Sequence, residues 1–245
     1  MKPISIIIPT LNEEHYLPRL LRSFVNQDFK GIYEVLVIDG HSTDKTAEVV
    51  KEYQKILPTL SIYQCDTGIS KQRNYGAKKA KYDSLIFLDG DMELPKKALL
   101  KLERHFQTKD NFIAIPALFP YDWKFVDIFL FILSTLYFVV VRYKNPILTG
   151  MCIITTKQVH NHMGGFNEKA IIAEDIEYGL RAHKNGARYY MLFGTLVRGS
   201  ARRLNKTGRI KLGITWHKWY VETIKHGVIT DVNKFNYEFG KFKKE

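Results

Sequence analysis

Negative charge is scarce at one end of this chain. The 245 residues carry 37 Lys and Arg against 25 Asp and Glu. Residues 1–180 are nearly balanced, with 22 basic residues against 21 acidic, whereas residues 181–245 hold 15 against 4. Such a basic end attracts nucleic acid, anionic lipid or a phosphorylated substrate, and charge alone does not choose among them. Cysteine is scarcer still. Cys65 and Cys152 exclude a disulfide framework or a cysteine-built zinc site, and read as free thiols in a reducing, cytoplasmic compartment. The start, "MKPISIIIPTLNEE", has one lysine and too short an apolar run for a signal peptide, so a first strand is expected there. Neither G-x-G-x-x-G nor G-x-x-x-x-G-K-[ST] occurs, which disfavours dinucleotide and P-loop chemistry.

A membrane-spanning run is missing too. "FVDIFLFILSTLYFVVV" contains one charge, Asp127, and its uncharged part, residues 128–141, is fourteen residues long. A span needs roughly 20 apolar residues. The segment is therefore expected to be a buried or membrane-surface helix. Further on, "RIKLGITWHKWYVETIKHG" mixes Trp216, Trp219 and Tyr220 with lysines. That mixture suits either a lipid–water interface or a helix packed on the sheet with its lysines in solvent.

What the chain does have, up to about residue 120, is alternation. The apolar runs "ISIII", "YEVLVID", "LSIYQ" and "SLIFLD" are separated by segments of helical spacing: "LNEEHYLPRLLRSFVNQ", "STDKTAEVVKEYQKIL" and "GISKQRNYGAKKAK". Ser42, Thr43 and Asp44 are candidate caps for the second of these, and Pro95 is placed in the first turn of "PKKALLKLERHF". The pattern predicts an α/β fold, a mostly parallel sheet covered by helices on both faces. Ligands bind such sheets at the carboxyl ends of the strands, where Asp39 and Asp89 both fall. After residue 120, "ILTGMCIITT" and "ARYYMLF" read as strands, "HMGGFNE" as a glycine turn and "AEDIEYGLRAHKNG" as a helix closed by Gly186.

Each candidate site residue has a plain reading beside a chemical one. Asp89-Gly90-Asp91 is either a turn or, on the ligand rim, a pair of hard carboxylates for magnesium or manganese; Glu93 joins that shell or caps the next helix. The longer calcium-loop pattern is absent. Asp39 either satisfies backbone donors or accepts from the imide N–H of uracil or guanine. Arg73 is a solvated helix charge or a phosphate-facing cation. Glu174-Asp175 either complements a helix dipole or supplies a general base.

Taken in order, "IIIPTLNEE", "VLVIDGHSTDKT", "SKQRNYGAKKA", "LIFLDGDMELP", "GGFNE" and "AEDIEYGLRAHKNG" resemble the family 2 glycosyltransferases, whose nucleotide-sugar-binding fold is called GT-A. The resemblance covers residues 3–190 or so. It implies that Pro9, Thr10, Leu11, Glu13 and Asp39 line a nucleotide pocket with Arg73 close by. It also implies that Asp89, Gly90 and Asp91 form the metal-and-diphosphate motif, Asp91 being the more direct ligand. Asp175 would be the catalytic base of inverting members, beside Glu174. The Q-x-x-R-W of processive members is missing; "GSARRLNKTG" follows instead, which favours single-sugar transfer. Arg202 or Arg203 there can steady a leaving diphosphate.

These residues together predict a metal-dependent inverting transferase. It would use a UDP- or GDP-linked sugar and an acceptor hydroxyl, lipid-linked in the membrane-surface case, with the protein peripheral on the cytoplasmic face. A retaining transferase on the same fold is the near alternative. A nucleic-acid-binding protein is the remote one, since it explains the basic end but not the ordered acids. The expected organisation is a GT-A domain over residues 1–200, with a nucleotide half to about 120 and an acceptor half after it. A basic helical extension over 201–245 follows.

Overall fold

The computed structural model describes residues 1–121 and 125–231. Strands β1 (Ile4–Thr10), β2 (Tyr33–Asp39), β3 (Leu60–Gln64) and β4 (Ser84–Leu88) alternate with helices α1 (Leu17–Val25), α2 (Thr46–Gln54) and α3 (Ile69–Lys79). β1 pairs in parallel with β2 and β4, and β2 with β3. β1 is buried along its whole length, as a central strand covered on both faces must be. Its alternate side chains serve two apolar layers. Ile4, Ile6 and Ile8 join Leu20 and Phe24 of α1, while Ile7 joins Ala77 of α3. Gly76 lets α3 approach this closely, since a Cβ there would lie 2.3 Å from Ile7 Cγ2.

The second half continues with β5 (Met92–Glu93), α4 (Ala98–Thr108), β6 (Phe112–Pro120), α5 (Phe125–Val141), β7 (Cys152–Thr156), α6 (Lys157–His162) and α7 (Glu174–Lys184). β8 (Arg188–Gly199), α8 (Arg202–Thr207) and α9 (Arg209–His226) complete the described chain. The eight strands form one sheet in the order β3-β2-β1-β4-β7-β6-β8-β5. β7 runs antiparallel to both β4 and β6, whereas β6 and β8 are parallel. One sheet thus runs through both expected halves. The chain order reverses beside β1, which opens a crevice at the carboxyl ends of β1, β2 and β4.

Several local expectations change. α1 starts only at Leu17, with Pro18 in its first turn; residues 11–16 are a loop, and Asn12 sits at φ 57°. None of the three candidate caps of α2 holds the cap position, which is Lys45; Asp44, one residue earlier, accepts the Thr46 N–H at 2.9 Å. Ser42 gives its hydroxyl to Asp39 instead. Pro95 precedes α4, its carbonyl accepting the Ala98 N–H at 2.8 Å. The aromatic face of α9 is turned inward: Trp219 and Tyr220 are buried with Ile147, Ile172 and Ile176, so they are core residues and not interface anchors. No helix among the described residues is long and apolar enough to cross a membrane. Of the basic extension, residues 232–245 lie outside the described residues.

Candidate active site

Two loops make the floor of the crevice. The loop after β1 is tied to the loop after β2 and to the start of α2 by a series of hydrogen bonds. Asn12 N–H donates to Ser42 Oγ at 2.9 Å, Thr43 N–H to Asn12 Oδ1 at 2.8 Å, Glu13 N–H to Thr46 Oγ1 at 2.8 Å and Glu14 N–H to Asp44 Oδ2 at 3.1 Å. Beneath them, the Gln72 amide donates to the carbonyls of Thr10 and Ile38. Short polar side chains at these positions therefore fix a loop that no helix or strand could fix. Asp39 is buried at the end of β2 and accepts from both the N–H and hydroxyl of Ser42, at 3.1 and 2.5 Å.

Above this floor lies a cleft of about 130 Å³. Nine of the expected residues line it: Pro9, Thr10, Leu11, Glu13, Asp89, Gly90, Asp91, Arg202 and Arg203. Asp91 follows β4, and its carbonyl accepts from the Tyr121 hydroxyl at 2.6 Å. Arg202 reaches over from the start of α8. Its guanidinium donates to Glu13 at 2.7 and 3.2 Å and lies 3.2 Å from the Asp91 carboxylate. Burial raises the pKa of Asp91 and of Glu13, while Arg202 opposes the rise in both. The cleft thus gathers negative charge and already holds one cation against it. Glu93 does neither of the things expected of it. It lies in β5, 3.8 Å from Arg198 of the paired β8.

No group of three or more His, Cys, Asp or Glu among the described residues is placed to hold a metal unaided. Asp89 and Asp91 offer carboxylate oxygens on an open cleft. That donor set fits a cation which keeps water and phosphate oxygens as its other ligands, as magnesium does. The position of Arg202 on Asp91 and Glu13 shows that positive charge is stable at this spot.

Behind the cleft sits Arg73, neither solvated nor open to a phosphate. It is fully buried. One guanidinium nitrogen donates to Glu174 at 2.9 Å; the other donates to Asp89 at 3.0 Å and to the Gly150 carbonyl at 2.8 Å. The Gly150 N–H in turn donates to Asp175 Oδ2 at 2.5 Å, and the Ile176 N–H to Asp175 Oδ1 at 2.8 Å. Asp89, just after β4, and the acids that open α7 are thereby gathered around one cation. Burial, and then the neighbouring Glu174, push the Asp175 carboxyl up to about 7; Arg73 pulls the other way. A carboxylate poised there can take a proton near neutral pH.

Asp39, Arg73, Glu174 and Asp175 stand behind the cleft wall rather than in it. Sequence reasoning missed Gly150, whose backbone alone joins Arg73 to Asp175, and which reads in the sequence as part of a strand. It also missed Gln72, Ser200 and Trp216. Trp216 lines the cleft instead of facing lipid, and its place in a basic aromatic helix gave no sign of that.

A parallel-to-antiparallel sheet with carboxylates at the crevice defines the GT-A class of nucleotide-sugar-binding folds. The structure of TarS 1–349 from Staphylococcus aureus in complex with UDP is similar, with a TM-score of 0.61, 23% identity, and 82% of this chain and 60% of that one covered. The mannosyltransferase PcManGT from Pyrobaculum calidifontis, in complex with GDP-Man and Mn2+, gives a TM-score of 0.67 at 18% identity, covering 88% and 60%. In sequence, the profile described as "Glycosyl transferase family 2" matches residues 5–169. The chain belongs to that family.

Among its relatives is a Methanococcus voltae dolichyl N-acetyl-alpha-D-glucosaminyl phosphate 3-beta-D-2,3-diacetamido-2,3-dideoxy-beta-D-glucuronosyltransferase. It is 57% identical over 108 residues, which are 41% of this chain and 32% of that protein. The GalNAc(5)-diNAcBac-PP-undecaprenol beta-1,3-glucosyltransferase of Campylobacter jejuni is 34% identical over 105 residues, 42% of this chain and 34% of its own. The chain thus matches about a third of the length of these relatives.

Proposed function

We propose that the protein is a metal-dependent inverting glycosyltransferase. It moves one sugar from a UDP- or GDP-linked donor to a hydroxyl of a lipid-linked acceptor, at the cytoplasmic face of a membrane and without crossing it. The observation that carries this reading is the Arg73 hub, which brings Asp89 of the diphosphate motif and the Glu174-Asp175 pair to one place. Donor and acceptor chemistry then share a space of one sugar's width. The lipid-linked acceptors named for the Methanococcus and Campylobacter relatives support the acceptor class, and the nucleotides named in the neighbouring structures support the donor.

In this mechanism Asp175 takes the proton of the acceptor hydroxyl as that oxygen bonds to the anomeric carbon. The bond from that carbon to the diphosphate oxygen breaks on the opposite face, which inverts the centre. Arg202 and Arg203 face the departing diphosphate and take up its charge through bidentate contacts. Asp91, with Asp89, would hold a magnesium or manganese ion, which when bound offsets charge on that leaving group. Pro9, Thr10, Leu11 and Glu13 shape the nucleotide side, and Asp39 stands ready for the base once Ser42 releases it.

A screen of nucleotide sugars for hydrolysis, with manganese or magnesium present, tests the donor. The anomeric configuration of the product tests inversion, since a retained configuration would establish the retaining mechanism instead. A salt-dependent gel-shift assay tests the nucleic-acid reading, for which no binding is expected.

A further inference from the structure

Six large apolar side chains of α5 stand more than half exposed: Val126, Phe129, Ile132, Leu133, Leu136 and Val140. Positions 126, 129, 133, 136 and 140 follow helical spacing, so they form one continuous stripe. Soluble proteins seldom leave a patch of this size in water unless it meets a partner. α5 is also firmly held. Its acid, Asp127, is buried and paired with Arg209 at the start of α9, and Tyr137, one turn before the end of α5, bonds His217 at 3.2 Å. The inward turn of Asp127 removes negative charge from the outer face.

We infer that the outer face shared by α5 and α9 is the surface on which the protein seats itself on an anionic lipid bilayer. The inference rests on the lipid-linked acceptor proposed above. Charge selects the occupant. On α9, Ile210 and Ile214 are exposed beside exposed Lys211, Lys218 and Lys225. Just beyond α5 come Arg142, Tyr143 and Lys144, of which Tyr143 is 72% exposed. An apolar centre with a basic and aromatic rim suits acyl chains below anionic headgroups. The seventeen residues of α5 are too few to span, so the helix lies in the plane of the interface.

α5 also walls a groove that borders the site. This groove of about 200 Å³ runs beside α5, walled by Phe119, Phe138, Met191 and Phe193. Thr149 lines it too, next to the Gly150 that holds Asp175. A lipid-linked acceptor lying along this groove keeps its chain in the bilayer while its head reaches the base.

Flotation of the full chain with phosphatidylcholine vesicles, with and without phosphatidylglycerol, tests this. Floating with phosphatidylglycerol at low salt is expected. Phe129→Glu/Leu133→Glu/Leu136→Glu changes exposed positions and is expected to abolish it. Lys211→Gln/Lys218→Gln is expected to weaken it roughly 25-fold, at about fivefold per lysine near an anionic surface. Donor hydrolysis, which needs no acceptor lipid, stays unchanged in both variants. Failure of the parent to float, or equal floating by the apolar triple variant, overturns the inference. A parent that sedimentation shows to be a dimer, with the triple variant monomeric and neither floating, means that a second copy covers the face. Loss of every nucleotide-sugar hydrolysis activity in a protein that still floats would sink the proposed function and leave the surface standing.

Discussion

Replacing Arg73 with methionine tests the hub directly. The side chain is fully buried, forms ion pairs of 3.0 Å to Asp89 and 2.9 Å to Glu174, and holds the Gly150 carbonyl. Methionine fills much of the volume but leaves two acids and a carbonyl facing an apolar group. Removing one partner of a buried pair costs about 3–5 kcal/mol, because the remaining charge is stranded. In a chain of this size each kcal/mol moves the melting temperature by about 2–4 °C, so a fall of roughly 6–20 °C is expected.

Chemistry shifts as well. Arg73 holds the raised Asp175 pKa down, so its loss raises it further. As the proposed base, Asp175 works deprotonated; the acid limb of the rate profile is therefore expected to move to higher pH, with activity falling more at pH 6 than at pH 9. Arg73→Lys keeps the charge but loses the planar fork that spans both acids, so it rescues little. Thermal melting and a donor-transfer pH profile read both effects. If Arg73→Met melts within about 2 °C of the parent and its acid limb does not move, the hub is not what holds the site together.

Other consequences follow from the same geometry. Asp175→Asn is expected to lose about 10²–10⁴-fold in transfer rate with donor affinity kept, measured by kinetics beside donor titration. Asp175 holds its proton more tightly folded than unfolded, where its ordinary value is 3.8, so ionising it costs stability as pH rises toward 7. The Asn variant should accordingly melt higher than the parent at pH 8 and lose that advantage at pH 4. Asp91→Asn is expected to leave almost no turnover; full activity after exhaustive chelation would remove the cation from the mechanism. Arg202→Met unpairs Asp91 and Glu13 from their cation, so manganese binding followed by electron paramagnetic resonance should tighten by up to about fivefold, while the KM for the donor rises.

The parallel half of the fold was legible because burial on both faces demands uninterrupted apolar runs, and "ISIII", "YEVLVID" and "SLIFL" are such runs. The acids at their ends were legible for the same reason: strand ends on one rim need no knowledge of distant contacts. α9 stayed open between two readings because its composition points two ways. Trp219 and Tyr220 pack inward against Ile147 and Ile176, while Lys211, Lys218 and Lys225 face out together with Ile210 and Ile214. Sequence shows that a helix carries both kinds of residue, but a surface that only tertiary packing creates decides which kind turns in.

The basic partners of the acids were the harder matter. Arg73 lies on α3 among Lys71, Lys78 and Lys79, and nothing local separates a buried guanidinium from solvated ammonium groups on the same helix. Its burial follows from partners 16 and 101 residues away. Arg202 meets Glu13 across 189 residues. In both cases the acids lie at or just beyond the ends of secondary-structure elements, whereas each arginine serves by reach: a long stem with a planar fork that meets carboxylates distant in the chain. The two forks also divide the labour. Arg73, sealed in the core, fixes where Asp89 and Asp175 stand, and Arg202, on the short α8 at the cleft edge, sits against Asp91 on the exposed side. Under the proposed mechanism, only the second can leave Asp91 to a bound cation without breaking the fold.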